Sequence, residues 1–199
     1  MIPKLLIITD WALGEPRLFS QLEAALGSKA FVAVQHRNPG ATARAYFEQG
    51  RRLKALCDRF AAPLFVSARL DVALALEAHL HLPGWGLRAR DVRLPPGRWL
   101  SVAVHDEEEA AAAAGADLAL VSPVFETASK PGAPPLGSEG FARLAKALSC
   151  PAYALGGVTA ERLRELPLGT PAAVISAVLD DPDPCRAADC LVQVIGDRR

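Results

Sequence analysis

Three short segments of the chain end apolar runs with groups that are suited to hold an anion. Residues 122–130 read Ser-Pro-Val-Phe-Glu-Thr-Ala-Ser-Lys, Gly156 and Gly157 are adjacent, and residues 174–177 read Val-Ile-Ser-Ala. Hydroxyls, a lysine and unshielded backbone amides placed just after a strand are how parallel α/β proteins build phosphate pockets. The three segments therefore predict a phosphate-binding site, with Lys130 as one of its cations.

Polar side chains also close the other apolar runs. Gln35 and Arg37, Ser67, His81 and His105 each lie at or just past the end of such a run. A guanidinium offers a planar fork to phosphate or carboxylate, whereas a lysine acts as a mobile point charge. Arg37 is therefore predicted to clamp an anion together with the lysine of the first segment.

The four histidines have different predicted roles. His79 and His81 alternate on one run and face the same side, as in a metal-binding HxH pair, but no cluster of Asp, Glu or Cys accompanies them. No metal site is predicted, and His81 is expected to act as an acid, a base or a hydrogen-bonding group. His105 precedes an acidic helical turn, so a capping role and a site role both stay open. His36 is expected to be solvated.

These residues can converge only if the runs form one parallel sheet. Eight strand-like runs are predicted, at residues 5–9, 31–35, 64–67, 79–82, 100–104, 118–122, 152–155 and 173–176. Helical periodicity separates them, at residues 18–26, 42–60, 71–77, 106–114, 138–148, 160–166 and 183–194, with one weak crossover at 87–92. Eight βα units predict a compact α/β fold, the (β/α)8 TIM barrel, whose sites lie at the carboxyl ends of the strands. A doubly wound open sheet is the alternative.

Composition limits the classes of protein that this chain can represent. Its 199 residues are 51% hydrophobic, which suffices for one core, so a single domain over residues 1–199 is expected. Because the formal net charge is zero, no electrostatic attraction to nucleic acid or to an anionic membrane is expected. No apolar run is long enough for a membrane-spanning helix or a secretory leader. We expect a cytoplasmic protein, with homo-oligomers possible. The four cysteines have no metal-site or scaffold spacing and are predicted to be buried thiols.

In this order, the segments resemble the thiamine phosphate synthase family and its TenI-type thiazole tautomerase relatives. Residues 35–37 are similar to the family's Gln-x-Arg-x-Lys, and 102–105 to its Val-Ser-x-His. Residues 123–130 resemble Pro-Val-Phe-x-Thr-x-Thr-Lys, whereas 154–158 and 175–178 resemble the Gly-Gly-Ile strand and the closing phosphate segment. Residues 69–75 resemble the segment after strand three. The resemblance spans nearly the whole chain and implies the same small barrel.

The resemblance also implies roles for the pyrimidine half of the site. In the synthase, a pyrimidine diphosphate ionises, magnesium and basic residues hold the departing pyrophosphate, and the nitrogen of thiazole phosphate captures the pyrimidine cation. Arg37 and Lys130 would hold pyrophosphate, and Gln35 would contact the pyrimidine. A small phosphorylated thiazole or pyrimidine is thus the implied ligand.

The thiazole half follows in the same way. The resemblance implies that Thr127 and Ser129 line the thiazole and the pyrophosphate. Gly157, Ile175 and Ser176 would give backbone contacts to the phosphate of thiazole phosphate.

Several positions depart from the family pattern. Ser67-Ala68 stands where the family has Asn-Asp, and Gly86 where a second magnesium-binding Asp follows strand four. Pro39 replaces the lysine of Gln-x-Arg-x-Lys, and Pro123 replaces the TenI proton-shuttling histidine. Magnesium needs carboxylate oxygens, which alanine and glycine do not provide.

The departures decide the order of the functional hypotheses. They favour a metal-independent TenI-type isomerase that binds thiazole phosphate or thiamine phosphate and needs no certain cofactor. Thiamine phosphate synthase, with Mg²⁺, is the alternative, and a non-catalytic binder of thiamine phosphates is the second alternative.

Overall fold

The protein is a closed barrel of parallel strands surrounded by helices. The computed structural model describes residues 2–84, 91–127 and 132–196. Within these ranges, eight strands pair in chain order and β8 pairs with β1, which closes the barrel. The strands β1 to β8 are Leu5–Ile8, Val32–His36, Leu64–Ser67, His79–Leu82, Leu100–Val104, Leu118–Val121, Ala152–Leu155 and Ala172–Val174. The predicted (β/α)8 barrel is confirmed, and closure excludes the open sheet.

Strand alternation divides the apolar side chains into two cores. Because successive side chains of a strand point to opposite faces, one set fills the barrel and the other lies under the helices. The set that fills the barrel includes Leu6, Ile8, Ala33, Phe65, Leu118, Leu120, Tyr153 and Ala173. The set under the helices includes Leu5 and Ile7 of β1 and Leu18 and Leu22 of the first helix. With its centre filled, the barrel leaves room for a ligand at its carboxyl end.

The helices follow the strands as the apolar periodicity predicts. The helices α1 to α8 are Glu15–Leu26, Ala43–Arg59, Leu70–Ala75, Glu107–Ala112, Gly137–Ala147, Ala160–Leu163, Ser176–Leu179 and Pro184–Gly196. Side chains cap several of them: Thr42 accepts from the Ala45 amide at α2, and Asp106 from the Glu109 amide at α4. None of the helices in the described ranges is long and apolar enough to cross a membrane.

Two short helical elements were not predicted. A 3₁₀ turn, Trp11–Leu13, follows β1, and α7 begins at Ser176. The last strand was predicted to reach residue 176, but it ends at Val174, so Ser176 starts a helical turn. The weak crossover at 87–92 lies mostly outside the described residues.

The cysteines are free but not uniformly buried. Cys57 lies on the buried face of α2, whereas Cys150 and Cys185 are partly exposed and Cys190 is exposed. The prediction of four buried thiols was therefore wrong for three of them, because Cys150 lies in the bend after α5, and Cys185 and Cys190 lie off the buried face of α8.

Candidate active site

One pocket of about 600 Å³ opens at the carboxyl ends of the strands. Every predicted site residue that the structure describes lines it: Arg37, His81, His105, Gln35, Ser67, Thr127, Gly156, Gly157, Ile175 and Ser176. Ser129 and Lys130 lie outside the described residues. Apolar side chains, including Ile8, Leu120 and Leu155, form the floor. A concave site with an apolar floor and a polar rim suits a small ligand with a ring and a charged group.

Gln35 brings a buried amide to the pocket. Its side chain extends from β2 and the residue is only 1% exposed. In the described ranges, the Oε1 atom of Gln35 has no hydrogen-bond partner. A buried polar atom without a partner costs about 1–3 kcal/mol, so such an atom at a pocket wall indicates a place for a ligand's donor group.

A threonine fixes the backbone of Arg37 at the end of β2. The hydroxyl of Thr9 accepts from the Arg37 amide at 2.9 Å and donates to the Arg37 carbonyl at 3.2 Å. The same hydroxyl accepts from the indole Nε1 of Trp11 at 3.1 Å. Thr9 is 4% exposed, so these bonds are shielded from water. The guanidinium of Arg37 therefore starts from a fixed backbone, although its side chain reaches into solvent.

His81 lies deep in the pocket as a neutral ring. Its Nδ1 atom is 2.9 Å from the hydroxyl of Ser101 on β5. Burial first, and then the nearby charge of Arg37, lower the pKa of His81 to about 3. At neutral pH this ring can hydrogen-bond a ligand, but it does not carry a positive charge for an anion.

His36 does not face solvent, and the prediction that it is solvated was wrong. The strand β2 extends one residue further than predicted, so His36 points outward beneath α2, where it is 0% exposed. Its Nε2 donates to the carbonyl of Tyr46 at 3.0 Å, and the two rings stack at 4.0 Å. Burial lowers the pKa of His36 to about 4. The Tyr46 hydroxyl also joins β2 to β3, since it lies 2.8 Å from the His36 carbonyl and 2.9 Å from that of Ser67.

His105 reaches the pocket as part of a pair with a carboxylate. Its Nδ1 lies 2.6 Å from the Oε2 atom of Glu109, one turn along α4, and the same oxygen accepts from the His105 amide at 2.7 Å. A carboxylate partner makes Nδ1 the protonated nitrogen and places the lone pair of a neutral ring on Nε2. Of the two roles that the sequence left open for His105, the capping role belongs to Asp106, which caps α4, whereas His105 lines the pocket.

One end of the pocket is formed by the turns after β7 and β8. Gly156 and Gly157 have φ of +92° and +62°, and Ile175 and Ser176 follow β8 at the adjoining wall. A side chain at position 157 would collide with the backbone oxygen of Glu126. This turn therefore needs glycine for its backbone angle and for its close contact with the loop after β6. We refer to residues 156–157 and 175–176 as the glycine cradle.

Arg162 lines the pocket and was missed by the sequence analysis. Its Nη1 donates to the Gly157 carbonyl at 2.8 Å and lies 3.4 Å from the Glu126 carbonyl. The helix α6 was predicted, but its first turn was not expected to face the site. One signal was present, because Thr159 caps α6 and the side chain three positions after a cap can reach back towards the preceding loop.

The residues present do not fit a magnesium ion. At the two positions where the resemblance implies magnesium carboxylates, Ala68 carries a methyl group and Gly86, outside the described residues, carries no side chain. Among residues 2–84, 91–127 and 132–196, no group of three His, Cys, Asp or Glu is arranged to hold a metal ion. Ala68 nevertheless keeps a left-handed backbone, with φ of +64°, a conformation that Asn and Asp adopt more readily. Positions 68 and 86 therefore offer magnesium no carboxylate oxygen.

Comparison with known proteins identifies relatives along almost the whole chain. The family model described as "Thiamine monophosphate synthase" (TMP-TENI) matches residues 5–178. The thiamine-phosphate synthase of Roseiflexus castenholzii is 38% identical over 203 residues, covering 96% of this chain and 88% of the relative. That of Pyrococcus horikoshii is 33% identical over 202 residues, covering 96% and 94%.

Solved structures show the same fold. The thiamine phosphate pyrophosphorylase from Pyrococcus furiosus superposes with a TM-score of 0.82 at 31% identity, over 96% of this chain and 95% of that one. Orotidine 5′-monophosphate decarboxylase from Methanocaldococcus jannaschii superposes with a TM-score of 0.69 at 14% identity, over 99% and 100%. The second likeness concerns the fold alone.

Proposed function

The chain belongs to the thiamine monophosphate synthase family, and from this membership and its pocket we infer that it is an enzyme of thiamine biosynthesis. The reaction that the relatives' names favour is thiamine-phosphate synthesis, in which a pyrimidine diphosphate and thiazole phosphate combine and pyrophosphate leaves. This reverses the order of the hypotheses that the missing carboxylates favoured. The observation that carries the proposal is the pocket of about 600 Å³, in which the amide of Gln35 and the glycine cradle line the walls.

Residues of the pocket suit the pyrimidine diphosphate and the thiazole phosphate separately. The unpartnered Oε1 of Gln35, a residue that lines the pocket, can accept from an amino group on the pyrimidine. The glycine cradle can direct backbone groups at the phosphate of thiazole phosphate. Arg37, with its fixed backbone, can hold the departing pyrophosphate through a charged, two-pronged contact. These contacts would position the thiazole nitrogen against the pyrimidine carbon that it attacks.

The missing carboxylates give a definite expectation for the metal dependence of the reaction. Magnesium normally neutralises a departing diphosphate, and this chain offers Arg37 and Lys130 instead. We expect any pyrophosphate release to be slow and insensitive to chelation, because no carboxylate pair is present at positions 68 and 86 to bind the ion.

A TenI-type isomerase is the second candidate, and the pair formed by His105 and Glu109 favours it. An imidazole held by a carboxylate at a pocket wall is suited to move a proton between two positions of a ligand. That chemistry needs no metal ion. The non-catalytic binder remains the third candidate, since a pocket for thiazole phosphate is compatible with binding alone.

One assay separates the three candidates. Purified protein is incubated with the pyrimidine diphosphate and thiazole phosphate, in magnesium and in EDTA, and pyrophosphate release is followed directly by phosphorus NMR. Release that needs both substrates supports the synthase. In parallel, a thiazole phosphate tautomer is followed by NMR, and its conversion without pyrophosphate release supports the isomerase. Binding of thiazole phosphate by calorimetry with neither reaction supports the binder, and no binding overturns the proposal.

A further inference from the structure

Arg162 contacts two loops at the mouth of the barrel. Its Nη1 atom donates to the Gly157 carbonyl at 2.8 Å and approaches the Glu126 carbonyl at 3.4 Å. The guanidinium carbon lies 5.3 Å from the centroid of the Phe125 ring, as in a cation–π contact. These contacts hold the guanidinium beside the turn that contains Gly157.

The charge of Arg162 has no counter-ion in the part of the chain that the structure describes. Arg52 and Arg59 pair with Glu15 and Glu23 on the surface, whereas no carboxylate within these ranges forms an ion pair with Arg162. Within the described ranges, the hydrogen bonds of the Arg162 guanidinium all use Nη1, so the N–H groups of Nε and Nη2 remain available. An arginine that lines a pocket with its orientation fixed and its charge unmatched is prepared to receive an anion.

We propose that Arg162 binds the phosphate group of the ligand and supplies the positive charge of the glycine cradle. The inference deepens the proposed function and rests on it for the identity of the ligand. The backbone groups of the cradle are neutral, while Arg37 and Lys130 are assigned to pyrophosphate. A phosphate held between the cradle and the guanidinium would gain a charge-assisted hydrogen bond in a partly enclosed site. Arg162 is thus a binding residue that α6 adds to those of the strand ends.

The test compares ligands with and without the phosphate group in matched variants. Arg162→Met removes the charge and keeps much of the side-chain volume, and Arg162→Lys keeps the charge without the fork. Arg164→Met is the control, because Arg164 lies two residues on, is exposed and bonds the Ala160 carbonyl of its own helix. Calorimetry measures the Kd of thiazole phosphate, of the unphosphorylated thiazole alcohol and of inorganic phosphate, and thermal unfolding checks the fold.

We expect Arg162→Met to weaken thiazole phosphate binding by roughly 10- to 100-fold, the effect of losing one hydrogen bond to a charged group. Binding of the thiazole alcohol should change less than about twofold, since only the phosphate meets the charge. Arg162→Lys should recover part of the loss, and Arg164→Met should bind as wild type.

Two results with the variant Arg162→Met would overturn the inference. Equal weakening of the phosphorylated and unphosphorylated ligands by Arg162→Met would mean that Arg162 only shapes the turn. Unchanged binding of thiazole phosphate and of inorganic phosphate would mean that it has no part in the site. Wild-type protein that binds inorganic phosphate through Arg162 but not thiazole phosphate would overturn the proposed function and keep the inference. Wild-type protein that binds neither would overturn both.

Discussion

The glycine cradle gives the sharpest test, because two glycines share a backbone conformation but differ in their surroundings. Gly157 and Gly169 both have positive φ, at +62° and +81°. A Cβ atom at Gly169 would meet nothing within 4 Å, whereas at Gly157 it would collide with the Glu126 oxygen and lie 2.8 Å from Nη1 of Arg162. The variant Gly169→Ala therefore measures the cost of the backbone angle alone. The variant Gly157→Ala adds the collision.

The expected magnitudes follow from these two contributions. An alanine in the left-handed region costs about 1–2 kcal/mol, part of which is offset by the reduced freedom of the unfolded chain. We expect Gly169→Ala to lower the free energy of unfolding by about 1 kcal/mol, or about 2–4 °C in Tm for a chain of this length. Overpacking adds about 1–3 kcal/mol, so Gly157→Ala should lose about 2–4 kcal/mol in total.

Urea unfolding and calorimetry with thiazole phosphate together check this prediction. Gly157→Ala should weaken binding of the ligand at least about tenfold, because the turn must move away from Glu126 and Arg162. Gly169→Ala should bind normally, since its turn lies outside the pocket. Equal losses of stability in the two variants, together with full-strength binding by Gly157→Ala, would refute the close contact between the turn and the neighbouring loop.

Three further predictions concern metal, pH and the join between β2 and β3. Pyrophosphate release by the wild type should be the same in EDTA and in magnesium, and a wild type that EDTA inactivates would contradict this. The double variant Ala68→Asp, Gly86→Asp should make pyrophosphate release magnesium-dependent. Burial lowers the pKa of His36 to about 4 and that of His81 to about 3, so below pH 6.5 the unfolded chain binds more protons at these histidines than the folded chain does. The free energy of unfolding should therefore fall as the pH drops from about 6.5 towards those values, by up to about 1.4 kcal/mol per histidine per pH unit. Urea titrations at several pH values, with His36→Phe as the variant that flattens the slope, check this. Tyr46→Phe removes the hydroxyl that joins the two strands and should lower the free energy of unfolding by about 1–3 kcal/mol in urea, and an unchanged midpoint would contradict the role of that bond.

The barrel could be predicted from the sequence because its strands are short, apolar and separated by helical segments. Each predicted run overlaps an observed strand, and four of them, such as 64–67 and 100–104, have the predicted bounds. Errors fall at the ends of elements, where a single residue decides which face a side chain takes. His36 is the clearest case: one more residue of β2 buries a ring that was expected in water.

The candidate site could be predicted where residues directly follow strands, and it could not be predicted where a helix turns back towards the pocket. Gln35, Ser67 and Gly157 meet at one rim because parallel strands end at the same edge of a barrel. The contact of Arg162 with Gly157 depends on the path of the loop between β7 and α6. Likewise, helical periodicity was predicted from residue 138 to residue 148, whereas α5 runs from Gly137 to Ala147. Loop paths follow from tertiary packing, which local patterns do not contain.

Closure of the barrel between β8 and β1 has a consequence for how the protein acquires its activity. The cradle takes Ile175 from the turn after the last strand, whereas Arg37 follows the second. A nascent chain on the ribosome can therefore form most of its strand pairs while it still lacks half of a binding site. A small ligand would find only part of its site until β8 pairs with β1, so substrate binding stabilises the closed barrel rather than the earlier folding intermediates.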